Sequence, residues 1–565
     1  MSKTRTIVPA GGISHVQGRT DLPLVDVTLP EFLNKAVERH GDRMAAVFCQ
    51  AGERWTYKQL ARRVDRLAAG LLSIGLYKGD RIGIWAPNRP EWLIAQFATA
   101  RIGLVLVNIN PAYKSSELEY ALNKVEAKAL ILASKFKTSD YTGSLLDIAP
   151  EIPNSVPGRL RAKRLPNLRN IVLLGADTLS GAFSFDEVMK KGNRAVQSRL
   201  DAISSSLSPH DAINVQFTSG TTGAPKGATL SHYNIVNNAI GCARTMKLTA
   251  TDGLCIPVPL YHCFGMVLGN LSAMACGATM VFPSEGFDPL ATLTALESEN
   301  CTAVHGVPTM FSAMLDHPEF DQFDLAAMRT GIMAGSPCPE PLMRRVMRDM
   351  GCNEITIAYG MTETSPVSFQ TAVDDPIHLK VGTVGRIQPH CEVKIIDAEG
   401  KTAPVGETGE LLTRGYLVMA GYWNDPDITK ESIIDGWMHT GDLATLDDEG
   451  YCRIVGRIKD MLIRGGENIY PAEVEEFLLT HPGISEVQVF GVPDPKYGEE
   501  VAVWIVARDE SLGEQALKDY CEGKIAHFKI PRYVKFVREM PITATGKPRK
   551  FIMRDMMGEE LSLSK

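Results

Sequence analysis

Apolar positions along the chain recur with two different periods, and the alternation between them predicts the elements. LPEFLNKAVERHGD has the helical period, opens with Pro30 near its N-terminus, where a missing N–H costs little, and stops at Gly41. EWLIAQFATARIG is a second helical run, ended by Gly103, and LVLVNINP after it is a short β-branched strand. Repetition of such strand-then-helix units predicts a largely parallel sheet covered by helices. No internal repeat or low-complexity tract breaks the pattern.

The pattern changes near GRIKDMLIRGGENIYPAEVEEFL, where Gly, charge and Pro cluster. Beyond it, PAEVEEFLLTHPG reads as a helix with Pro471 at its first position, and SEVQVFGV, EVAVWIVA and RYVKFV read as strands. The expected fold class is α/β. A large N-terminal domain of layered αβ subdomains with a β-rich portion spans 1–456, a hinge spans 457–460, and a small mobile α+β domain spans 461–565. The longest uncharged stretch, Gly253–Ser284, contains Pro257, Pro259, His262 and Asn270. It is expected to form a buried strand and helix beside an apolar pocket rather than a membrane span.

Composition narrows the function. The chain has 565 residues, 44% hydrophobic and 22% charged, and a net charge of −7. Those values fit a packed globular protein and argue against a broad nucleic-acid face. An anionic substrate would have to be held by local cations and backbone donors. The eleven cysteines form no CxxC pair, and the two nearest, Cys255 and Cys263, are eight apart. Reduced thiols in a cytosol-like compartment are expected, not zinc or a redox pair. The first twenty residues lack the apolar core of a secretory signal. The expected location is the cytoplasm, with the mitochondrial matrix as the alternative.

Candidate chemistry begins at FTSGTTGAPKGATLSH, residues 217–232. Three Gly, four Thr and one Pro surround a single Lys there, and the stretch is expected to form neither regular helix nor strand. A Walker A loop counted from Gly220 needs its second Gly at Pro225 and a hydroxyl at Gly227, so that motif is absent. The residue types still suit phosphate. Gly lets backbone N–H groups approach an anion, Thr218, Ser219, Thr221 and Thr222 offer hydroxyl donors, and Lys226 adds a compact charge.

This loop resembles the phosphate-binding signature of the adenylate-forming superfamily, which includes the acyl-CoA synthetases. YGMTET (359–364), GWMHTGD (436–442), GRIKDMLIRGGENIYPAEVE (456–475) and PITATGKPRK (541–550) match further superfamily motifs in the same order. FTSGTTGAPKGATLSHYNIVNN, PLYHCFG, GGENIYPAEVE and AHFKIPRY resemble the medium-chain fatty acyl-CoA synthetase branch, and the likeness covers nearly the whole chain.

The resemblance implies a fatty acyl-CoA ligase that forms acyl-AMP from ATP and then a thioester with CoA, using Mg²⁺. It implies that Thr218, Ser219, Gly220, Thr221, Thr222, Gly223 and Lys226 embrace the outer phosphates. Glu363 would hold Mg²⁺, Thr362 would touch the α-phosphate, and Tyr359, Gly360, Gly335 and Ser336 would border adenine. Asp442 would accept the ribose hydroxyls, with Arg457 supporting ribose or phosphate. Lys547 would bridge the carboxylate and α-phosphate, and Lys459 would be the hinge. Gly465, Gly466 and Glu467 would border the pantetheine channel. His262 would lie near the acyl carboxylate, and Phe264, Gly265, Val307 and Met333 are candidates for the acyl pocket.

A CoA ligase for an aryl, short or sulfur-containing acid would share every catalytic residue, so only pocket shape discriminates it, and a free-standing carrier-loading enzyme, which would need a separate carrier, is a further alternative. A luciferase-like oxygenase and a non-catalytic nucleotide-binding protein are the remaining alternatives. Small-molecule substrates are the expected partners, with neither nucleic acid nor a transmembrane segment, and a homodimer is compatible with the sequence. Cys263 is not expected to act as a nucleophile, because the adenylate route needs no covalent enzyme intermediate.

Overall fold

A computed structural model describes residues 8–218, 225–465, 467–508, 512–542 and 548–563. The helical runs form where expected. Leu29–His40 starts at a reciprocal cap, in which the Glu31 N–H donates to Thr28 Oγ1 at 3.4 Å and the Thr28 N–H donates to Glu31 Oε2 at 2.7 Å. Its buried face carries Leu29, Phe32, Leu33 and Ala36. EWLIAQFATARIG becomes the helix Pro90–Arg101, followed by the strand Val105–Asn108.

Two large sheets carry the N-terminal part. Among the described residues, one orders the strands Phe183–Ser184, Asn170–Leu173, Ala129–Leu132, Arg81–Trp85, Val105–Asn108, Ala212–Thr218, Lys226–Ser231 and Gly421–Tyr422. The other runs Arg386–Ile387, Val367–Gln370, Glu354–Gly360, Thr330–Ala334, Ala303–Gly306, Gly253–Cys255, Thr279–Phe282, Met44–Phe48 and Glu53–Thr56. Both are parallel through the middle and antiparallel at an edge. The parallel sheet expected from the strand–helix repeats is therefore the interior of each sheet. The largest core joins both sheets to the helices Leu29–His40, Tyr57–Ser73, Pro90–Arg101 and His232–Thr245. A second core lies on the other side of the nine-stranded sheet, and a third sheet, built on Cys391–Ile396, Gly409–Gly415 and Trp437–Leu446, supplies the β-rich portion.

The uncharged stretch folds as the strand Gly253–Cys255, a π-helical segment Phe264–Leu271, the helix Ser272–Cys276 and the strand Thr279–Phe282. All eight residues of the π-helical segment are buried. One expectation fails at its ends. The Gly/Thr-rich segment is not irregular throughout, because Phe217 and Thr218 end one strand, Lys226–Ser231 form the next, and His232 opens a helix. The physical reason is antiparallel pairing, with Thr218 opposite Lys226 and Phe217 opposite Gly227, which stabilises residues of poor intrinsic propensity.

From Leu462 on, the chain builds its own sheet of Glu467–Ile469, Leu462–Arg464, Gly498–Ala507, Ile484–Asp494 and Tyr533–Phe536. Leu462, Ile469, Val474, Val489 and Val503 belong to a separate core there. The protein thus has a large N-terminal α/β domain and a smaller C-terminal α+β domain.

Candidate active site

Thr218 and Glu363 meet where the two large sheets adjoin. Thr218 ends the strand Ala212–Thr218, and its Oγ1 donates to Glu363 Oε1 at 3.1 Å. Glu363 sits in the short turn Thr362–Thr364 that follows the strand Glu354–Gly360. The turn is tightly bound, with Gly360 so close to Pro366 that a Cβ would lie 1.8 Å from its carbonyl oxygen. Glycine is required at 360 for that approach. Thr362 and Glu363 are both buried, and the Glu363 carbonyl accepts the Met419 N–H at 2.9 Å.

A second hydroxyl reaches the same carboxylate. Tyr422 OH donates to Glu363 Oε1 at 2.9 Å, and Lys226 Nζ stands 5.2 Å from the centre of the Tyr422 ring. Burial and the neighbouring Glu363 carboxylate push the Tyr422 hydroxyl pKa upward, so it stays a donor. Tyr422 was not among the residues expected from sequence. It lies in AGYWND, where nothing in the spacing sets it apart from a core aromatic. Among the described residues, the two side chains that donate to the Glu363 carboxylate, Thr218 and Tyr422, are both hydroxyls. Among the described residues no group of three or more His, Cys, Asp or Glu gathers as a metal cage. One buried carboxylate fits Mg²⁺, which commonly takes one or two carboxylates and fills the rest with phosphate and water.

Asp442 forms the second cluster. Its Oδ1 accepts Arg457 Nε at 2.8 Å, and its Oδ2 accepts the hydroxyl of Tyr359. Burial first, and then the Asp442 charge, raise the Tyr359 hydroxyl pKa well above its ordinary value. Tyr359 and Gly360 end the strand Glu354–Gly360, so one strand end leads to both clusters. Gly335 and Ser336 follow the parallel neighbour Thr330–Ala334. Gly335 has φ +98°, and a Cβ there would approach Val307 Cγ1 to 3.1 Å.

His262 precedes the π-helical segment, and its Nδ1 accepts the Phe264 N–H at 3.1 Å. Phe264 belongs to the main core, with Val307 packed against it, and Gly265 lies against the Pro259 carbonyl. Met333 does not join them. It is buried in the second core with Phe311 and Met343, while Ile332 and Ala334 face the first. Alternation along the strand Thr330–Ala334 turns Met333 to the opposite side.

Lys459 is exposed in the turn after the strand Cys452–Arg457. Gly465 and Glu467 lie on the hairpin Leu462–Arg464/Glu467–Ile469 of the small domain. Gly465 has φ +59°, and its N–H donates to the Tyr497 carbonyl at 2.8 Å. Ser219, Gly220, Thr221, Thr222, Gly223, Gly466 and Lys547 lie outside the described residues.

The order of these features along the chain matches a known family. The model of the AMP-binding enzyme family matches residues 33–423, and that of the AMP-binding enzyme C-terminal domain matches 473–547. The chain belongs to the AMP-binding enzyme family. This AMP-binding enzyme is 48% identical over 545 residues to YngI of Bacillus subtilis (strain 168), covering 96% of this chain and 99% of that one. It is 46% identical over 561 residues to the mitochondrial medium-chain acyl-CoA ligase ACSF2 of Danio rerio, covering 98% and 92%. Its fold superposes on the anthranilate CoA ligase AuaEII in complex with anthranoyl-AMP with a TM-score of 0.84 at 26% identity, over 96% and 99% of the two chains. The expectation of an AMP-forming acyl-CoA synthetase agrees with these relatives, and membership implies ATP and CoA as small-molecule substrates. No helix among the described residues is long and apolar enough to cross a membrane.

Proposed function

We propose that this AMP-binding enzyme joins a medium-chain fatty acid to CoA through an acyl-AMP intermediate. The observation that carries the reading is the buried Glu363 carboxylate, held by Thr218 and Tyr422 and separated by one short turn from the Tyr359–Asp442–Arg457 cluster. Glu363 would face the phosphates through Mg²⁺, and Asp442 would accept the ribose hydroxyls. The choice of a medium chain is supported by the name of ACSF2, a relative along almost the full length.

In the first half-reaction the fatty carboxylate oxygen attacks the α-phosphorus of ATP, and pyrophosphate leaves. Two anions must approach, so charge neutralisation and alignment make up most of the catalysis. Thr218, Lys226 and the intervening Ser219, Gly220, Thr221, Thr222 and Gly223 hold the outer phosphates. Thr362 contacts the α-phosphate and Lys547 bridges it to the entering carboxylate. Glu363 holds Mg²⁺, which supplies positive charge to the phosphate oxygens when bound. Tyr359, Gly360, Gly335 and Ser336 border the adenine. Asp442 exchanges the Tyr359 hydroxyl for the ribose hydroxyls, with Arg457 retained beside it. His262 sets the turn into the π-helical wall beside the acyl carboxylate.

In the second half-reaction the CoA sulfur attacks the acyl carbon, loses its proton and releases AMP. The domain division follows the sequence reading, with 1–456 and 461–565 turning about 457–460 at Lys459. The turn withdraws Lys547 and brings Gly465, Gly466 and Glu467 to the pantetheine. The chain's eleven cysteines are free among the described residues, which suits a reducing compartment. The cytoplasm is our placement, and the mitochondrial matrix would serve equally.

The test is pyrophosphate release with Mg·ATP over acids from acetate through C6–C12 to C16, with benzoate and methylthiopropionate, with and without CoA. A maximum at C6–C12 with CoA-dependent thioester supports the reading. A maximum at benzoate or a short acid keeps the mechanism and replaces the substrate. No release with any acid overturns both.

A further inference from the structure

The strand Trp437–Leu446 does not run evenly past its neighbour Gly409–Gly415. Glu410 pairs with Leu443 and Leu412 pairs with His439. Leu411 alone therefore stands opposite three residues, Thr440, Gly441 and Asp442. Such a bulge re-aims the side chains it carries. Gly441 occupies it at φ +69°, a backbone region open to glycine at no steric cost. Thr440 Oγ1 donates to the Leu411 carbonyl at 2.7 Å and accepts the Asp442 N–H at 3.1 Å.

Glu410 spans the bulge from the other strand. Its Oε1 accepts the Gly441 N–H at 3.2 Å, and its Oε2 lies 3.0 Å from Nδ1 of His439. One carboxylate thus holds the entry of the bulge and its apex together. The Gly441 carbonyl in turn accepts the Ile458 N–H at 3.0 Å, inside the segment that links the two domains. Asp442, the last residue of the bulge, holds Arg457. Through Gly441, Glu410 is connected to both the candidate ribose carboxylate and the linking segment.

We propose that Glu410, paired with His439, is a positioning residue that fixes the Thr440–Asp442 bulge so that Asp442 meets the ribose of ATP. This rests on the reading that Asp442 accepts the ribose hydroxyls. Glu410 itself touches no substrate. A partly exposed carboxylate–imidazole pair contributes little stability by itself. Its value is geometric, since a ligand displaced by about 1 Å can cost on the order of 10²-fold in rate.

The experiment compares kcat/KM for ATP and 2′,3′-dideoxy-ATP in the wild type, Glu410→Ala and Glu410→Gln. The wild type should prefer ATP by roughly 10²-fold, the scale of losing hydrogen bonds to a charged acceptor. Glu410→Ala should lose about tenfold on ATP, within the range a displaced contact produces, and little on the dideoxynucleotide. Glu410→Gln keeps an acceptor for the Gly441 N–H and should recover most of the preference. Equal losses on both nucleotides, or an unchanged preference, would overturn the proposal. A wild type indifferent to the ribose hydroxyls would overturn the Asp442 reading instead, before any variant is made. Should Glu410→Ala fail to fold, His439→Phe carries the comparison, and an unchanged preference there overturns the proposal.

Discussion

Thr218 and Glu363 are 145 positions apart in sequence, yet the hydroxyl of one donates to the carboxylate of the other at 3.1 Å. The first ends a strand of the eight-stranded sheet, and the second lies in the turn leaving the nine-stranded sheet. The candidate phosphate site is therefore a junction, and both sheets must be in place for it to exist.

Glu363→Gln keeps the size of the side chain and removes its charge. Pyrophosphate release should fall, and the Mg²⁺ concentration for half-maximal rate should rise at least tenfold. An unchanged metal titration would remove Glu363 from that role. Tyr422→Phe deletes one donor to the same carboxylate and should slow adenylation several-fold, on the scale of the ~1 kcal/mol net value of a hydrogen bond.

Lys547→Ala should lower adenylation by about 10²–10³, the range for losing a donor where charge develops. Thioester formation from supplied acyl-AMP should be largely spared if the proposed domain rotation withdraws Lys547 in that half-reaction. Equal damage to both halves, measured by pyrophosphate release and by acyl-CoA formation, would contradict domain alternation.

Cys263 adjoins the site but is built as a packing residue. It is fully buried, its Sγ donates to Gln216 Oε1 at 3.2 Å, and burial pushes its thiol pKa up to about 12. Almost no thiolate exists at neutral pH. Cys263→Ala should keep both half-reactions within a few-fold, and loss of all turnover would reinstate a covalent route.

Acid should destabilise the fold through two buried histidines. Burial lowers the His232 pKa to about 3 and that of His305 to about 4. Between those values and about 6.5 the unfolded chain binds a proton that the native chain refuses, so stability falls as pH falls. From pH 7.5 to 5.0 each should cost about 2 kcal/mol. Urea unfolding at pH 7.5 and 5.0 reads the loss, and His305→Gln should flatten it. An identical slope in that variant would exclude His305 as a source.

Legibility in the sequence followed the range of the interactions. Helix Leu29–His40 and strand Val105–Asn108 are set by local periodicity and caps, and both were readable. The motif residues were readable by resemblance, and Thr218, Glu363, Tyr359, Asp442 and Arg457 do meet in two clusters. Tyr422 was not, because its value comes from a strand pairing 59 residues beyond Glu363. Met333 lies in a different core from Phe264 and Val307 because adjacent strand residues face opposite sides of the sheet, which a fragment does not reveal. The flanks of the Gly/Thr-rich segment were read as irregular because composition reports propensity and not partnership.

The pairing of Thr218 with Lys226 has a consequence for how this site can vary. Directly opposed residues of antiparallel strands share a face, so a hydroxyl and an ammonium are delivered to the same side by one hydrogen-bonding frame. A residue inserted within Lys226–Ser231 reverses every side chain beyond it. The two paired strands are therefore locked in phase with one another.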